Sequence, residues 1–375
     1  MKYSYLILIL IITFSCKNDK KMNTKPSIEN ENRMSFFVGT YTDTKSEGVY
    51  TYALSDSGKI KKVGLAAKTE NPSFLTKSTD GNYLLAVNEL NSVNGMGTVE
   101  SYKIVGDSLE LISKQSSGGA HPCFVATNKN GYVLTANYSS GNLGLLKLNE
   151  MGRLSELLDT QNHNKNIENE DKTARAHSAY FIGSNQFISA DLGTNQLWFS
   201  SVDTENDKIV PNQPPTLQIA GENPGSRHLA FHPKKDWIYV INELNSTVSL
   251  IRKNKDEKYE VENSFSTLPK GYTEKSYCAD IHISNDGKFL YGSNRGHNSI
   301  AIFEINQESG ALKAIGYESV KGDWPRNFAL SPNNEFLLVA NQRSENIVSF
   351  KRDKITGLLT FVEEVKVPSP VCILF

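Results

Sequence analysis

Short apolar runs separated by polar turns recur along the chain at intervals of about fifty residues. One unit reads NPSFLTKSTDGNYLLAVNEL at 71–90, and comparable units lie at 121–140, 176–194, 225–244, 278–296 and 324–343. The polar residues that close the units are spaced by 47 to 54 residues, and they are Asn88, Asn137, Asp191, Asn242, Asn294 and Asn341. Repeats of this length are typical of propeller blades rather than of helical solenoids.

Each unit has the pattern of a small antiparallel sheet. Asp80-Gly81, Asn130-Gly131 and Asp286-Gly287 lie between apolar runs, where such dipeptides indicate hairpin turns. The third run of a unit, for example NSIAIFEI at 298–305, roughly alternates apolar and polar residues, as half-buried strands do. No stretch of 18 residues keeps a helical period, so we expect an all-β fold.

The two ends of the chain complete the count of blades. FFVGTYTD at 36–43 and GVYTYAL at 48–54 resemble the second and third strands of a unit, but no first strand precedes them. SPVCILF at 369–375 resembles the missing strand. We therefore predict a seven-bladed β-propeller over residues 35–375, its ring closed by the C-terminal strand joining the N-terminal blade. Closing the ring in this way removes the open sheet edge of a linear array.

Composition and charge exclude several classes of protein. Lys and Arg number 40 against 41 Asp and Glu, so there is no basic surplus for binding nucleic acid. Hydrophobic residues make up 38% of the chain, which is ordinary for a soluble globular protein.

The N-terminal residues have the pattern of an export signal. A Lys at position 2 precedes an apolar run, 6–12, that is too short to span a bilayer. A general secretory signal is one reading. The segment 13–16, Thr-Phe-Ser-Cys, resembles a lipobox, and we predict a lipoprotein signal over residues 1–16 with Cys16 as the lipidated residue. A polar tether at 17–34 would follow, with the protein anchored in the bacterial cell envelope and touching the membrane only through its lipid.

The other cysteines, Cys123, Cys278 and Cys372, are too widely spaced to indicate a disulfide framework or a metal site. We expect each to be a buried structural residue. Since no metal-ligand spacing appears anywhere, we expect a site without metal or cofactor.

Blade topology gathers chemically active side chains at one mouth of the channel. The first strand of a blade starts where the second ends, so both ends contribute to this mouth. Strand starts supply His121, His177, Arg227, His228, Asp280 and Arg326, and strand ends supply Glu89, Asn137, Asp191, Glu243, Arg295, His297 and Arg343. Some of these have simpler explanations: Asn residues cap turns, Glu89 could be structural in its Asn-Glu-Leu tripeptide, and Arg326 and Arg343 could close ion pairs between blades.

Several segments resemble the seven-bladed lactonase family, which includes bacterial 6-phosphogluconolactonases and fungal carboxy-muconate cyclases. They are FVGTYTD, HPCFVAT, AHSAYF, NPGSRHLAFHP, VINELNSTVSL and SNRGHNSIAIFEI, and the resemblance covers nearly the whole chain from Phe36. It implies a catalytic group of His177, Arg227, Glu243 and Arg295. We expect four further residues of the mouth to bind substrate, namely His121, His228, Asp191 and Arg326.

These residue types suit the opening of a sugar lactone. Arginines stay charged and offer fixed donors for a carbonyl oxyanion or an anionic tail, and His177 or Glu243 could take a proton from water. We predict a monomeric lactone hydrolase of the 6-phosphogluconolactonase type that acts on a small-molecule lactone. A lactonising or cycloisomerising enzyme and a non-catalytic binding propeller are the alternatives. Because a phosphorylated lactone is a cytoplasmic metabolite, the export signal leaves an unphosphorylated substrate open.

Overall fold

Twenty-eight strands, arranged as seven four-stranded antiparallel sheets, make up the part of the chain that the structure describes. This computed structural model describes Met1, residues 33–166 and residues 172–375. Residues Arg33–Phe375 form one compact unit. Residues 2–16 of the predicted signal peptide, which include Cys16, and all but the last two residues of the predicted tether lie outside the described residues.

The first three blades contain the N-terminal third of the domain together with the last strand of the chain. In blade 1, the strands from the channel outward are β28 (Pro370–Leu374), β1 (Arg33–Thr40), β2 (Gly48–Ser55) and β3 (Ile60–Lys68). Blade 2 consists of β4 (Pro72–Lys77), β5 (Tyr83–Val93), β6 (Met96–Val105) and β7 (Ser108–Ser116). Blade 3 consists of β8 (Pro122–Thr127), β9 (Tyr132–Asn137), β10 (Asn142–Lys147) and β11 (Asp159–Asn162), and a 3-10 turn follows at His163–Asn166.

The remaining blades follow in chain order. Blade 4 consists of β12 (Ala176–Phe181), β13 (Gln186–Asp191), β14 (Gln196–Asp203) and β15 (Lys208–Gln218). Blade 5 consists of β16 (Ser226–Phe231), β17 (Ile238–Asn242), β18 (Thr247–Lys253) and β19 (Tyr259–Ser266). Blade 6 consists of β20 (Tyr277–Ile283), β21 (Phe289–Arg295), β22 (Ser299–Ile305) and β23 (Leu312–Ser319). Blade 7 consists of β24 (Pro325–Leu330), β25 (Phe336–Asn341), β26 (Asn346–Arg352) and β27 (Leu359–Lys366).

Closure of the ring follows the sequence-based prediction. β28 pairs antiparallel with β1, where Ile373 lies opposite Val38 and Cys372 opposite Gly39. The ring of Phe375 packs 5.2 Å from that of Phe36. The seven-bladed all-β fold is therefore confirmed, although β1 begins at Arg33, two residues before the predicted start of the domain.

The core lies between the blades. Because each sheet is covered on both faces by its neighbours, the central strands are continuous apolar runs, as in β5, where residues 84–87 are fully buried. Phe36, Tyr52 and Leu54 of blade 1 pack with Phe336 and other residues of blade 7 in one such layer. Each fully buried side chain of this kind contributes about 1.5–3 kcal/mol to stability.

The register of the innermost strand slips at the same place in every blade. In blade 4, Ala176 pairs with Asp191 and Ser178 with Ala190, which leaves His177 unpaired. A bulge of this kind bends the strand and redirects one side chain. The residues passed over in this way are Ser73, Cys123, His177, Arg227, Arg326, Val371 and, in the longer shift of blade 6, Ala279 and Asp280.

Candidate active site

Two repeat positions of each blade supply the residues of the candidate site. The first is the bulge residue of the innermost strand, which we call the bulge position. The second, which we call the rim position, follows the residue that closes the second strand. Going around the ring, the rim positions hold Tyr41, Glu89, Tyr138, Leu192, Glu243, Arg295 and Gln342.

Glu243 lies between two arginines. Its Oε2 is 3.0 Å from Nε of Arg227 and 2.7 Å from Nη2 of Arg295. Arg227 also donates from Nη1 to the carbonyl oxygen of Ala279, and Arg295 donates from Nη2 to that of Cys278 at 2.8 Å. Among the described residues, Nη2 of Arg227 and Nη1 of Arg295 have no acceptor, so each guanidinium keeps one amino group for a ligand.

A glycine allows the approach of the strand that carries Arg227. Gly225 has φ +69°, and a Cβ atom there would lie 2.6 Å from Cγ of Leu244. Its carbonyl oxygen accepts a hydrogen bond from the Glu243 backbone at 2.7 Å. A side chain at this position would therefore displace Leu244, the residue that follows Glu243.

A second carboxylate group is formed by Glu89, Tyr41 and Arg326. The hydroxyl of Tyr41 donates to Oε2 of Glu89 at 2.7 Å, and Nη2 of Arg326 is 3.6 Å from the same oxygen. The guanidinium of Arg326 also lies 5.2 Å from the centre of the Tyr41 ring. Blades 7, 1 and 2 thus contribute one residue each to this group.

Electrostatics indicates that the two groups share one mouth. Burial opposes ionisation of Glu243, but Arg295, Arg227 and the more distant Arg326 together lower its pKa. Burial lowers the pKa of Arg295 to about 10, with Arg227 and Arg326 acting in the same direction. Three cations surrounding two carboxylates leave a net positive charge, which favours an anionic ligand or an oxyanion.

His177 occupies the bulge position of blade 4 and is 4% exposed. Its pKa is held well below 6.5 by burial and by the nearby charge of Arg227, so the imidazole is neutral at pH 7. Nδ1 lies 3.8 Å from the thiol of Cys123, and the ring of Tyr138 packs edge-on at 5.7 Å. Nε2 has no hydrogen-bond partner among the residues described.

His228 forms the floor beneath this group. Its ring packs 5.3 Å from that of His177, while its Nδ1 is 2.8 Å from Oδ1 of Asp280. Burial and Arg227 lower the pKa of His228 to about 4, so this ring is also neutral. Asp280 accepts further hydrogen bonds from Asn327 at 2.6 Å and His282 at 3.1 Å. The same residues line a cavity of about 440 Å³ in the channel below.

Asp191, predicted to bind substrate, lies elsewhere. Its side chain is fully buried, and Oδ2 is 2.8 Å from Nδ1 of His163. Oδ1 accepts hydrogen bonds from the backbones of Arg175 and Thr194, both at 2.9 Å. A carboxylate whose two oxygens are both occupied inside the protein is not available to a ligand, so we correct that prediction and assign Asp191 a structural role.

His121 and Tyr138 lie on the side of the mouth formed by blade 3. His121 precedes β8, with Nδ1 2.8 Å from the Ser139 hydroxyl. Tyr138 was missed from the sequence, although it holds the same rim position as Glu89 and Glu243. Burial raises the pKa of Tyr138, and the charge of Glu243 acts in the same direction, which indicates that this phenol and that carboxylate are close. Tyr41 was not predicted from the sequence either, because blade 1 has no Asn or Asp at the closing position that marks the other blades.

The family model described as "Lactonase, 7-bladed beta-propeller" matches residues 35–375. This chain belongs to that family. The 6-phosphogluconolactonase of Bacillus subtilis is 35% identical over 347 residues, which cover 90% of this chain and 97% of that protein. A Formosa agariphila protein also named 6-phosphogluconolactonase is 36% identical over 336 residues, covering 86% and 94%.

A solved structure extends the comparison to a lactonase outside the cytoplasm. The periplasmic gluconolactonase of Pseudomonas aeruginosa superposes with a TM-score of 0.84 at 28% identity, covering 91% of this chain and 98% of that one. The predicted family and the predicted class of enzyme, a hydrolase of lactone esters, are confirmed. In residues 33–166 and 172–375, no cluster of three His, Cys, Asp or Glu side chains could hold a metal ion. No helix within the described residues is both long and apolar enough to cross a bilayer.

Proposed function

We propose that the mouth hydrolyses a sugar lactone to its acid, with Arg227 and Arg295 binding the carbonyl oxygen and His177 acting as the base. The observation that carries this proposal is the pair of guanidiniums on Glu243, each with one amino group left for a ligand, next to a neutral imidazole. Such donors stabilise negative charge as it develops on the oxygen under attack. Water attacks the carbonyl carbon, its proton passes to Nε2 of His177, and the ring C–O bond then breaks as that proton is delivered to the leaving oxygen.

Glu243 is better suited to holding the arginines than to taking the proton. The Oε2 atom of Glu243 is in contact with both guanidiniums, and their charges lower the pKa of Glu243, so the affinity of this carboxylate for a proton is reduced. A base is most effective when its pKa lies near the working pH. Burial and Arg227 lower the pKa of His177 as well, so geometry decides between the two residues. Nε2 of His177 faces no competing donor among the described residues, whereas Oε2 of Glu243 is in contact with both guanidiniums.

The experiment measures proton release by the purified protein with three lactones: 6-phosphogluconolactone, gluconolactone and a muconolactone. Because lactones hydrolyse in water, buffer without protein gives the background, and Arg227→Ala is measured beside the wild type to connect turnover with the site. Arg352→Ala is the matched control, since Arg352 is also a buried arginine but lies in the third strand of blade 7, with Nε bonded to Tyr291. Rates above background with the first or second lactone support the proposal, and background rates with all three contradict it.

We also propose that the protein is exported and anchored through a lipid on Cys16, and that it acts as a monomer. The apolar run 6–12 and the Ser-Cys junction at 15–16 support the anchor. The candidate residues come from all seven blades of one chain, so the site needs no partner copy. The Cys16→Ser variant should not be labelled with lipid and should be absent from the membrane fraction. Unchanged membrane association would contradict the anchor.

A further inference from the structure

In five of the seven blades, the residue that directly precedes the innermost strand has a positive φ. These residues are Asn71 (45°), His121 (53°), Gly225 (69°), Trp324 (66°) and Ser369 (39°). Gly and Asn adopt this region readily, whereas a bulky side chain there is a genuine outlier. Backbone strain of this kind persists where the surrounding structure enforces it, often beside a functional site. The blade geometry therefore imposes on Trp324 a backbone conformation that Gly or Asn would adopt more easily.

The surroundings of Trp324 place its indole beside the candidate active site. The guanidinium of Arg295 lies 5.2 Å from the ring centre, and that of Arg343 lies 3.4 Å away. The backbone is held on both sides, because its N–H donates to Asn298 at 3.0 Å and its carbonyl accepts from Gln342 at 3.1 Å. The strained backbone thus holds an aromatic ring within cation–π distance of a catalytic candidate and of a second arginine.

Arg343 differs from the three arginines deeper in the mouth. Arg227, Arg295 and Arg326 each lie within 4.0 Å of a glutamate oxygen. Arg343 is exposed, and in residues 33–166 and 172–375 its guanidinium has neither a carboxylate nor a hydrogen-bond acceptor. Its guanidinium therefore forms no direct ion pair within the described residues and lies instead over the indole of Trp324.

We propose that Trp324 and Arg343 form an outer subsite that binds the anionic group of the substrate, a phosphate or a carboxylate distant from the lactone carbonyl. This inference rests on the proposed lactonase function, because Arg295 would bind the carbonyl end of the same molecule. A planar guanidinium offers paired donors to either kind of anion. The subsite selects acidic lactones over neutral ones, and it does so through KM more than through kcat.

Tryptophan fluorescence tests binding separately from turnover. The chain has three tryptophans, and Trp198 and Trp237 are 2% and 6% exposed in blades 4 and 5. Titration with 6-phosphogluconate or glucarate, which carry a phosphate or a carboxylate at the end of the molecule away from C1, should change the emission of Trp324. Gluconate, which has a hydroxyl at that end, should change it less. Trp324→Phe should abolish the change, and Arg343→Gln should weaken binding about tenfold, the scale of one hydrogen bond to a charged group. A larger effect of Arg343→Gln on 6-phosphogluconate than on glucarate assigns the subsite to phosphate, and the reverse order assigns it to carboxylate. An equally large effect on gluconate would overturn the subsite.

The matched control is Arg252→Gln, because Arg252 also lies over a tryptophan, 5.8 Å from the ring centre of Trp237, but away from the mouth. It should change neither titration nor turnover. For turnover, Arg343→Gln should raise KM for 6-phosphogluconolactone more than for neutral gluconolactone. Trp324→Asn should raise KM and also raise Tm, because asparagine relieves the positive φ.

The failure of this inference can be told apart from failure of the lactonase proposal. If the protein hydrolyses lactones but Arg343→Gln changes neither the titrations nor the KM values, the subsite alone is overturned. A lower Tm with unchanged KM in Trp324→Asn would also overturn it, because the tryptophan would then be a packing residue. Quenching by the acids without any hydrolysis would support the subsite and contradict the lactonase.

Discussion

Glu243 and Glu89 hold the same rim position, in the same Asn-Glu-Leu tripeptide, in blades 5 and 2. Their backbones are held alike, by donation to Gly225 O at 2.7 Å and to Asn71 O at 3.0 Å. Their side chains are buried alike, at 16% and 17% exposure. Their partners differ: two guanidiniums lie within 3.0 Å of Glu243, whereas Glu89 has a phenol at 2.7 Å and one guanidinium at 3.6 Å.

The difference between the two glutamates comes from the positions around them. Arg227 holds the bulge position of the same blade as Glu243, and Arg295 holds the rim position of the next blade. Glu89 has Ser73 at the bulge position of its own blade, so its cation must reach it from blade 7. A repeated tripeptide therefore fixes where a carboxylate lies, but neighbouring blades decide what that carboxylate can do.

The largest effect should come from removing the arginine that most distinguishes the two groups. Arg227→Ala should lower kcat by about a hundredfold or more, the scale seen when one preorganised donor to an oxyanion is lost. Arg227→Lys should restore only part of the rate, because an ammonium cannot reproduce the planar donor set. Steady-state rates beside Arg352→Ala separate this loss from the general effect of deleting a buried arginine, and wild-type turnover in Arg227→Ala would show that the chemistry lies elsewhere.

The paired variants Glu243→Gln and Glu89→Gln test the comparison directly. Glu243→Gln should lower kcat/KM about tenfold, because two guanidiniums lose a charged acceptor, and Glu89→Gln should have a smaller effect. If His177 is the base, His177→Gln should reduce kcat by more than Glu243→Gln does. Equal losses in the two glutamine variants would mean that the groups contribute alike, and the reverse order would assign the reaction to the Glu89 side.

Tyr41→Phe should have a smaller effect still, less than about fivefold on kcat/KM, since it removes one hydrogen bond and leaves the Glu89 carboxylate with Arg326. The hydroxyl donates to Glu89 at 2.7 Å, so without it the carboxylate depends more on its ion pair with Arg326. Tyr50→Phe is a suitable control, because that phenol accepts a hydrogen bond from the Glu47 backbone in blade 1. A change in KM alone would indicate that Arg326 binds substrate, as predicted from the sequence.

The smallest effect concerns stability against pH. Neighbouring arginines depress the pKa of Glu243 in the folded state, so its contribution to stability is present above the unfolded pKa and is lost as pH falls through the folded value. The Tm of wild type should therefore exceed that of Glu243→Gln at pH 7, and the difference should narrow below pH 4.5, the ordinary glutamate value. A constant difference from pH 7 to pH 3 would mean that Glu243 titrates outside that window.

Much of this architecture could be predicted because it depends on local patterns. Blade count, ring closure and the gathering of His177, Arg227, Glu243 and Arg295 follow from the repeat and from the order of strands. The bulge could not be predicted, since both faces of these strands are covered and their apolar runs show no alternation in which a shift by one residue could be recognised. Without it, nothing in the sequence explains why Arg227 turns toward the mouth while its neighbour His228 lies beneath.

Long-range partners were the other limit. Asp191 aligns with the closing Asn residues of the other blades, but its carboxylate pairs with His163, which precedes the blade by a segment with no repeat signal. The pairing depends on where His163 lies after β11, which a sequence pattern does not record. The strain at Trp324 was equally hidden, because the residue appears in the sequence only as part of an ordinary Trp-Pro-Arg start of a strand.

The bulge makes the chemistry of the mouth separable from the architecture of the ring. A residue at the bulge position has no ladder partner to lose, so its side chain can be exchanged while the strands on either side keep their register. Ser73, Ala279 and Val371 hold this position, and their side chains take no part in the arginine–glutamate groups described above. The same scaffold could therefore be given a different reaction by rewriting single residues, one blade at a time, and those three positions are where an engineer would begin.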